Sequence, residues 1–154
     1  MITTVALIAA ASLWTVTDRS DAFSDQKYVT LQTEQNENLL VLKCVPGEQP
    51  WSLTLVTPLY IGGSPIIRTA VRRVDAQTPS TMSFATKDYL AEAMGGKSAV
   101  SDALSAKSRI AIRVDQSRAK GGQIEVLFDA SGLASKSIEF RKKCLALGIP
   151  AITG

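Results

Sequence analysis

The sequence predicts an α+β fold: a mainly antiparallel β-sheet or sandwich, with two short helices and a C-terminal helix packed on it. Three observations predict this. The first half is a series of short runs that alternate apolar and polar residues, separated by turn-forming clusters. After Lys87 the apolar spacing changes from a period of two to a helical one. The chain then returns to two alternating runs and ends in a helix-period stretch. With 154 residues and 45% hydrophobic content, one domain over 14–154 can bury a core of its own.

The elements follow in order. Trp14 to Val16 starts the first strand, and Asp18-Arg19-Ser20-Asp21 reads as a turn because Asp and Ser bond to nearby backbone. Tyr28 to Thr33 is a second strand, Glu34 to Asn38 a polar hairpin connection, and Leu39 to Cys44 a third strand. After the turn Val45 to Pro50, Trp51 to Val56 alternates as a half-buried strand, which Leu59 to Ile61 extends past a bend or edge at Pro58. Gly62 to Pro65 breaks the chain. Ile66 to Asp75 is strand-like, and so is the short run Thr81 to Ala85. Asp88 can cap a helix through Tyr89, Leu90, Ala93 and Met94 that Gly95-Gly96 ends. Ser98 to Ala106 is a second short helix. Arg109 to Val114 and Ile124 to Phe128 are strands around a turn at Arg118 to Gly122. In the last helix Leu133, Phe140, Cys144 and Leu147 recur at helical spacing, so Cys144 faces the core; Gly148 caps the helix and Pro150 stops it. Trp14 and Trp51 read as core anchors.

Composition narrows the function. There is no histidine, so neither a Ser-His-Asp nor a Cys-His site can form. Two cysteines 100 positions apart do not make a structural zinc site, and the sequence implies no metal and no cofactor. A net charge of +3 without a dense basic block or interleaved aromatics argues against a nucleic-acid partner. The run Arg141-Lys142-Lys143 reads as a solvated helix face that suits the C-terminal dipole.

Residues 1–13 contain the apolar stretch Val5 to Leu13, and Ala9-Ala10-Ala11 resembles a signal-peptidase site. The stretch is too short for a stable membrane span. No Lys or Arg precedes it, and a buried first strand or helix of a cytosolic protein is the alternative. The expectation is export to the periplasm or beyond. In an oxidising compartment Cys44 and Cys144 would form one long-range disulfide. Closing a loop of that length is worth roughly 4 to 5 kcal/mol in the chain-entropy model. The alternative is two buried thiols that pack as small hydrophobes.

The remaining constellations are weaker. Ser24 to Lys27 matches S-x-x-K but lacks the companion motifs of serine acyl-enzymes. Asp18, Asp21 and Asp25 lack the Gly and Glu positions of a calcium loop and suit turns. Gly62-Gly63 and Gly121-Gly122 do not open phosphate-binding helices. Arg68, Arg72, Arg73 and Asp75 form the candidate recognition face. Strand alternation puts Arg73 and Asp75 on one side and Arg72 on the other. The alternative is an edge guarded by charge.

Several segments together resemble one family. These are Trp14-x-Val16 followed by Ser20, Asp25 and Val29, the strand ending in Lys43-Cys44, and Val71-Arg72-Arg73-Val74-Asp75. To them are added Ile112-x-Val114 and the close from Val126-Leu127-Phe128-Asp129 through Gly132-Leu133 to Cys144. In order and spacing they resemble the type VI secretion-associated VasI/TagO-like family. The chain departs from that pattern in its short length and in having no convincing lipoprotein cysteine. The resemblance implies a non-catalytic exported protein-interaction module, accessory to a type VI secretion or other envelope complex. A phage-encoded or immunity-type binding protein shares the same physics. The enzymatic alternative, a Ser/Lys or carboxylate-dependent hydrolase, requires two or more of Asp25, Lys27, Arg73, Asp75 and Asp129 to converge in one cleft.

Overall fold

The computed structural model describes residues 12–116 and 121–153; nearly all of the signal-like segment and most of the Arg118 to Gly122 turn lie outside the described residues. β1 (Trp14–Ser20), β2 (Lys27–Gln35), β3 (Asn38–Cys44) and β4 (Trp51–Val56) form an antiparallel meander. β5 (Gly62–Val74), β6 (Ser80–Asp88) and β7 (Leu90–Ala93) form a second one, and β7 returns to pair with β4. α1 (Gly96–Leu104) leads into the hairpin of β8 (Arg109–Asp115) and β9 (Gln123–Asp129), whose first strand pairs with β5. α2 (Leu133–Ala146) follows. The strand order is β1-β2-β3-β4-β7-β6-β5-β8-β9. The result is a single antiparallel sheet curled into a half-barrel, not a sandwich of two sheets.

Period-two alternation explains the core. Leu40, Leu42 and Cys44 of β3, Trp51, Leu53 and Leu55 of β4, and Ile110, Ile112 and Val114 of β8 all point inward. Ile124, Val126 and Phe128 do the same from β9. Both helices lie on this inner face. α1 buries Ala99, Val100, Ala103 and Leu104, and α2 buries Leu133, Ser137, Phe140 and Cys144. Trp51 meets Phe140 edge-on at 6.2 Å between ring centroids, one helical turn from Cys144.

The curl brings the two sheet edges together at one corner. The Trp14 indole N–H and the Gln35 amide both donate to the Asp129 carbonyl at 3.0 Å. The Asp129 N–H donates back to the Gln35 side-chain oxygen at 2.8 Å. Gln35 thus stands in for a neighbouring strand's backbone at the last residue of β9.

Several element predictions need correction: Leu59 to Ile61 is not strand, and Gly62 to Pro65, expected to break the chain, begins β5 with a register shift against β6 before Ile66. The helix expected from Asp88 to Met94 is β7, so the described residues hold two helices where three were expected. Leu90 and Glu92 are exposed while Ala91 and Ala93 are buried, which is a strand pattern, and β7 fills the place between β4 and β6. Ladder bonds on both sides override the helix preference of Leu, Ala and Glu. Asp88, read as a helix cap, takes φ +53° and turns the chain from β6 into β7. The turn expected at Asp18 to Asp21 lies further on, because β1 continues to Ser20 and pairs with β2 along its whole length. By contrast, Asn36 and Glu37, at φ +50° and +65°, make the two-residue turn joining β2 and β3. Positive φ at both central residues matches the right-handed strand twist.

Candidate functional site

Cys44 and Cys144 are joined in a disulfide with a Cα–Cα distance of 6.1 Å, and both residues are buried. Cys44 ends β3 on the inner face, and Cys144 lies in the last turn of α2. The bridge pins α2 to the middle of the meander. Next to it, Lys143 pairs with Asp18 of β1, which raises the Lys143 pKa above its ordinary value.

The four residues expected to make a recognition face do not lie on one face of the sheet. Arg68 points inward, donating from Nε to the Thr86 hydroxyl at 3.1 Å and from Nη1 to the Gln116 carbonyl at 3.3 Å. Arg72 also points inward, where it pairs with Asp102 of α1 and donates to the Ser80 hydroxyl at 3.2 Å. Arg73 alone is on the outer face. Asp75 leaves the strand alternation at φ +53°. Its carboxylate accepts from the Lys107, Ser108 and Arg109 amides and from the Ser108 hydroxyl. The Ser108 N–H, followed by the Arg109 N–H, holds the Asp75 carboxyl well below the usual range. Asp75 is therefore a bracket that fixes the connection from α1 to β8.

The residues that gather around Arg73 come from elsewhere in the chain. Arg73 faces Ala111 across the β5–β8 ladder, and Arg109 and Arg113 flank Ala111 on the same outer row. Diagonal neighbours of this kind lie about 7–8 Å apart. The three arginines surround a groove of about 280 Å³ whose apolar lining includes Val71, Ala111 and Leu127. Arg113 is held by Glu125 of β9 at 2.9 Å. The Arg73 Nε is buried with no hydrogen-bond partner. Alternation within Arg109 to Arg113 was the available signal for this cluster. What the sequence did not show was that β8 pairs with β5.

A larger hollow of about 760 Å³ lies where α1 begins. Trp51, Met94 and Ile152 supply apolar walls, and Lys97, Ser98 and Glu48 are polar. Gly96 is required there, because a Cβ would stand 2.0 Å from the Trp51 carbonyl oxygen. A third hollow, of about 430 Å³, lies between the ends of β1 and α2 and includes Lys27 and Lys143.

None of these three hollows brings together two of Asp25, Lys27, Arg73, Asp75 and Asp129. Ser24 donates its hydroxyl to Asp21 at 3.0 Å, which ties the S-x-x-K serine into a turn. Asp21 also accepts the Phe23 and Ser24 amides, and the Phe23 N–H contributes most to lowering its pKa. Asp129 is lowered by the Ser131 hydroxyl and N–H. Among the described residues no three acidic or cysteine side chains gather as a metal site, and no helix is long and apolar enough to cross a membrane. Comparison with protein-family models, with curated proteins and with solved structures gave no match.

Proposed function

We propose that this chain is a non-catalytic, exported protein-interaction module of a bacterial envelope complex. The observation that carries the reading is the asymmetry of the sheet. Its inner face is filled by two helices and a buried disulfide. Its outer face has no covering layer among the described residues; it displays Leu127 beside the Arg73, Arg109 and Arg113 cluster, and Ile67 and Leu90 further along the same face. Exposed apolar side chains grouped with arginine are the usual ingredients of a protein-binding surface. The disulfide suits an oxidising compartment. The ordered motifs that resemble those of the VasI/TagO-like family favour a type VI secretion complex as the setting.

The test is site-specific photo-crosslinking in the native envelope, with the probe placed in turn at Ile67, Leu127 and Ile138. The first two lie on the outer sheet face, and Ile138 is an exposed control on α2. A discrete adduct from the sheet positions, absent from the helix position, is the expected result. Adducts from none of them, or a chain retained in the cytosol, would refute the reading.

A further inference from the structure

We propose that the open edge of β9 takes up an extended segment of the partner protein as an added strand, with an apolar residue against Leu127 and a cation against Glu125. This rests on the binding-module reading above and gives it a location and a partner chemistry.

The pairing phase of the last hairpin decides which backbone groups are available. The Ala130 N–H donates to the Ser108 carbonyl, and the Gln116 N–H to the Gly122 carbonyl, each at 2.9 Å. With the observed register, Phe128, Val126 and Ile124 then form the hydrogen-bonded pairs with β8. Gln123, Glu125, Leu127 and Asp129 aim their N–H and C=O groups away from β8. At Asp129 those groups are taken by Gln35 and Trp14. At Gln123, Glu125 and Leu127 they meet no partner among the described residues. Six backbone groups in a row are thus presented to an incoming strand.

Several of the usual defences of an edge are missing here, although Glu125 and Asp129 place charge on it. β9 contains no proline and no lysine, and its register with β8 is unbroken. Leu127, in the middle of the edge, is 51% exposed. The opposite edge, β1, exposes no large apolar side chain within its span. The apolar anchor is therefore on β9.

Charge selects the occupant. The outer row of β9 reads Gln123, Glu125, Leu127, Asp129, with two acids and no cation of its own; Arg113 of β8 engages Glu125 through Oε2 alone, which leaves Oε1 for a partner cation. Directly opposed residues of an added strand share a face, and opposite charges there are favourable while like charges repel. A second copy of this chain fits poorly. Pairing two β9 strands about Glu125 puts glutamate against glutamate, and pairing them about Leu127 puts Glu125 against Asp129. Pairing about Val126 sets the Glu125 carboxylate against apolar Leu127 and leaves its outer pair, Gln123 with Asp129, unmade because Gln35 holds the Asp129 backbone. A partner segment added antiparallel, with a leucine-like residue and, two positions later, a lysine or arginine, meets Leu127 and Glu125 with these side chains and Gln123 with its backbone. Its backbone supplies affinity and its side chains supply selection.

The experiment uses the intact chain and three synthetic peptides. The first carries leucine and lysine at the two facing positions. The second replaces the lysine with glutamate. The third repeats the first with methylated nitrogens along the edge-facing side. The expected result is slowed hydrogen exchange at the amides of Glu125 and Leu127 with the lysine peptide. Binding of the glutamate peptide should be about fivefold weaker, and the methylated peptide should not bind.

Glu125→Pro deletes one outward donor and no β8–β9 ladder bond, so it should abolish peptide binding while keeping the circular dichroism of the fold. Leu127→Ser, at an exposed site, is the second variant and should weaken binding severalfold. Failure of every peptide to bind, or binding that leaves β9 exchange unchanged, would overturn the edge assignment. A native partner whose footprint lies on other strands would also overturn it while leaving the binding-module reading intact; no crosslinked partner at all would remove both.

Discussion

Asp75 shows how one carboxylate can govern a connection. It is only partly exposed, and three consecutive amides plus a hydroxyl converge on it. Its folded pKa lies below its unfolded value of about 3.9. Its contribution is therefore fully present above that unfolded value and is lost as pH falls towards the folded one. Asp75→Asn should cost about 1–2 kcal/mol at pH 7, because an amide oxygen is a weaker acceptor than a carboxylate. Urea unfolding at pH 7 and pH 3 checks this: the gap between variant and wild type should narrow at pH 3, and an equal gap at both would refute the charge account. The sequence placed Asp75 on a strand face beside Arg73. It could not show the left-handed backbone or the amides 32 to 34 positions away. Arg72 was likewise legible as charged, yet its partner Asp102 lies on α1, and nothing local to either segment signals that they meet.

At the scale of elements, legibility followed the strength of the local pattern. Trp51–Val56 was read to the residue, and Arg109–Asp115, Gln123–Asp129 and Leu133–Ala146 to within one or two residues, because each has a full period-two or helical pattern. β7 was misread because four residues of good helix formers carry no period of their own, and only pairing with β4 and β6 decides their state. The arginine cluster was missed for a related reason: Arg109 and Arg113 were visible on a strand, but their meeting with Arg73 depends on the β5–β8 pairing. The start of α1 makes a prediction of its own. Gly96 lies against the backbone of Trp51 and Ser52, which cannot swing aside as a side chain would. Gly96→Ala should destabilise the fold by about 1–3 kcal/mol through overpacking, despite alanine's better helix propensity. Gly95→Ala, where a Cβ meets nothing within 4 Å, is the control and should change thermal stability little.

For the whole molecule, the expectation of an α+β fold with a mainly antiparallel sheet matches the observed class, while the curl of the sheet was not legible. Curl follows from strand order and from the Gln35–Asp129 corner, both products of contacts distant in sequence. The disulfide closes a loop across a sequence separation of 100. Replacing both cysteines with alanine should cost up to about 4–5 kcal/mol in urea unfolding at neutral pH. Because Cys44 and Cys144 are 0% and 1% exposed, a reductant reaches the bridge only when the fold opens. Reduction by dithiothreitol should therefore proceed at a rate that tracks unfolding and rises with urea. Fast reduction in native buffer, with stability unchanged, would refute the structural role.

The same bridge has a mechanical consequence. Pulling on the two ends of the chain loads β1, β2 and β3 from one side and the tail beyond α2 from the other, and the load then meets a covalent bond. Everything between Cys44 and Cys144 is shielded from the force. At about 3.3–3.6 Å per residue, a chain of this length would stretch to ~500 Å, but the bridge limits it to ~200 Å or less. A partner that tugs on this protein can strip its first three strands, while β4 to β9, including the edge offered to that partner, stay enclosed in a loop that tension does not extend.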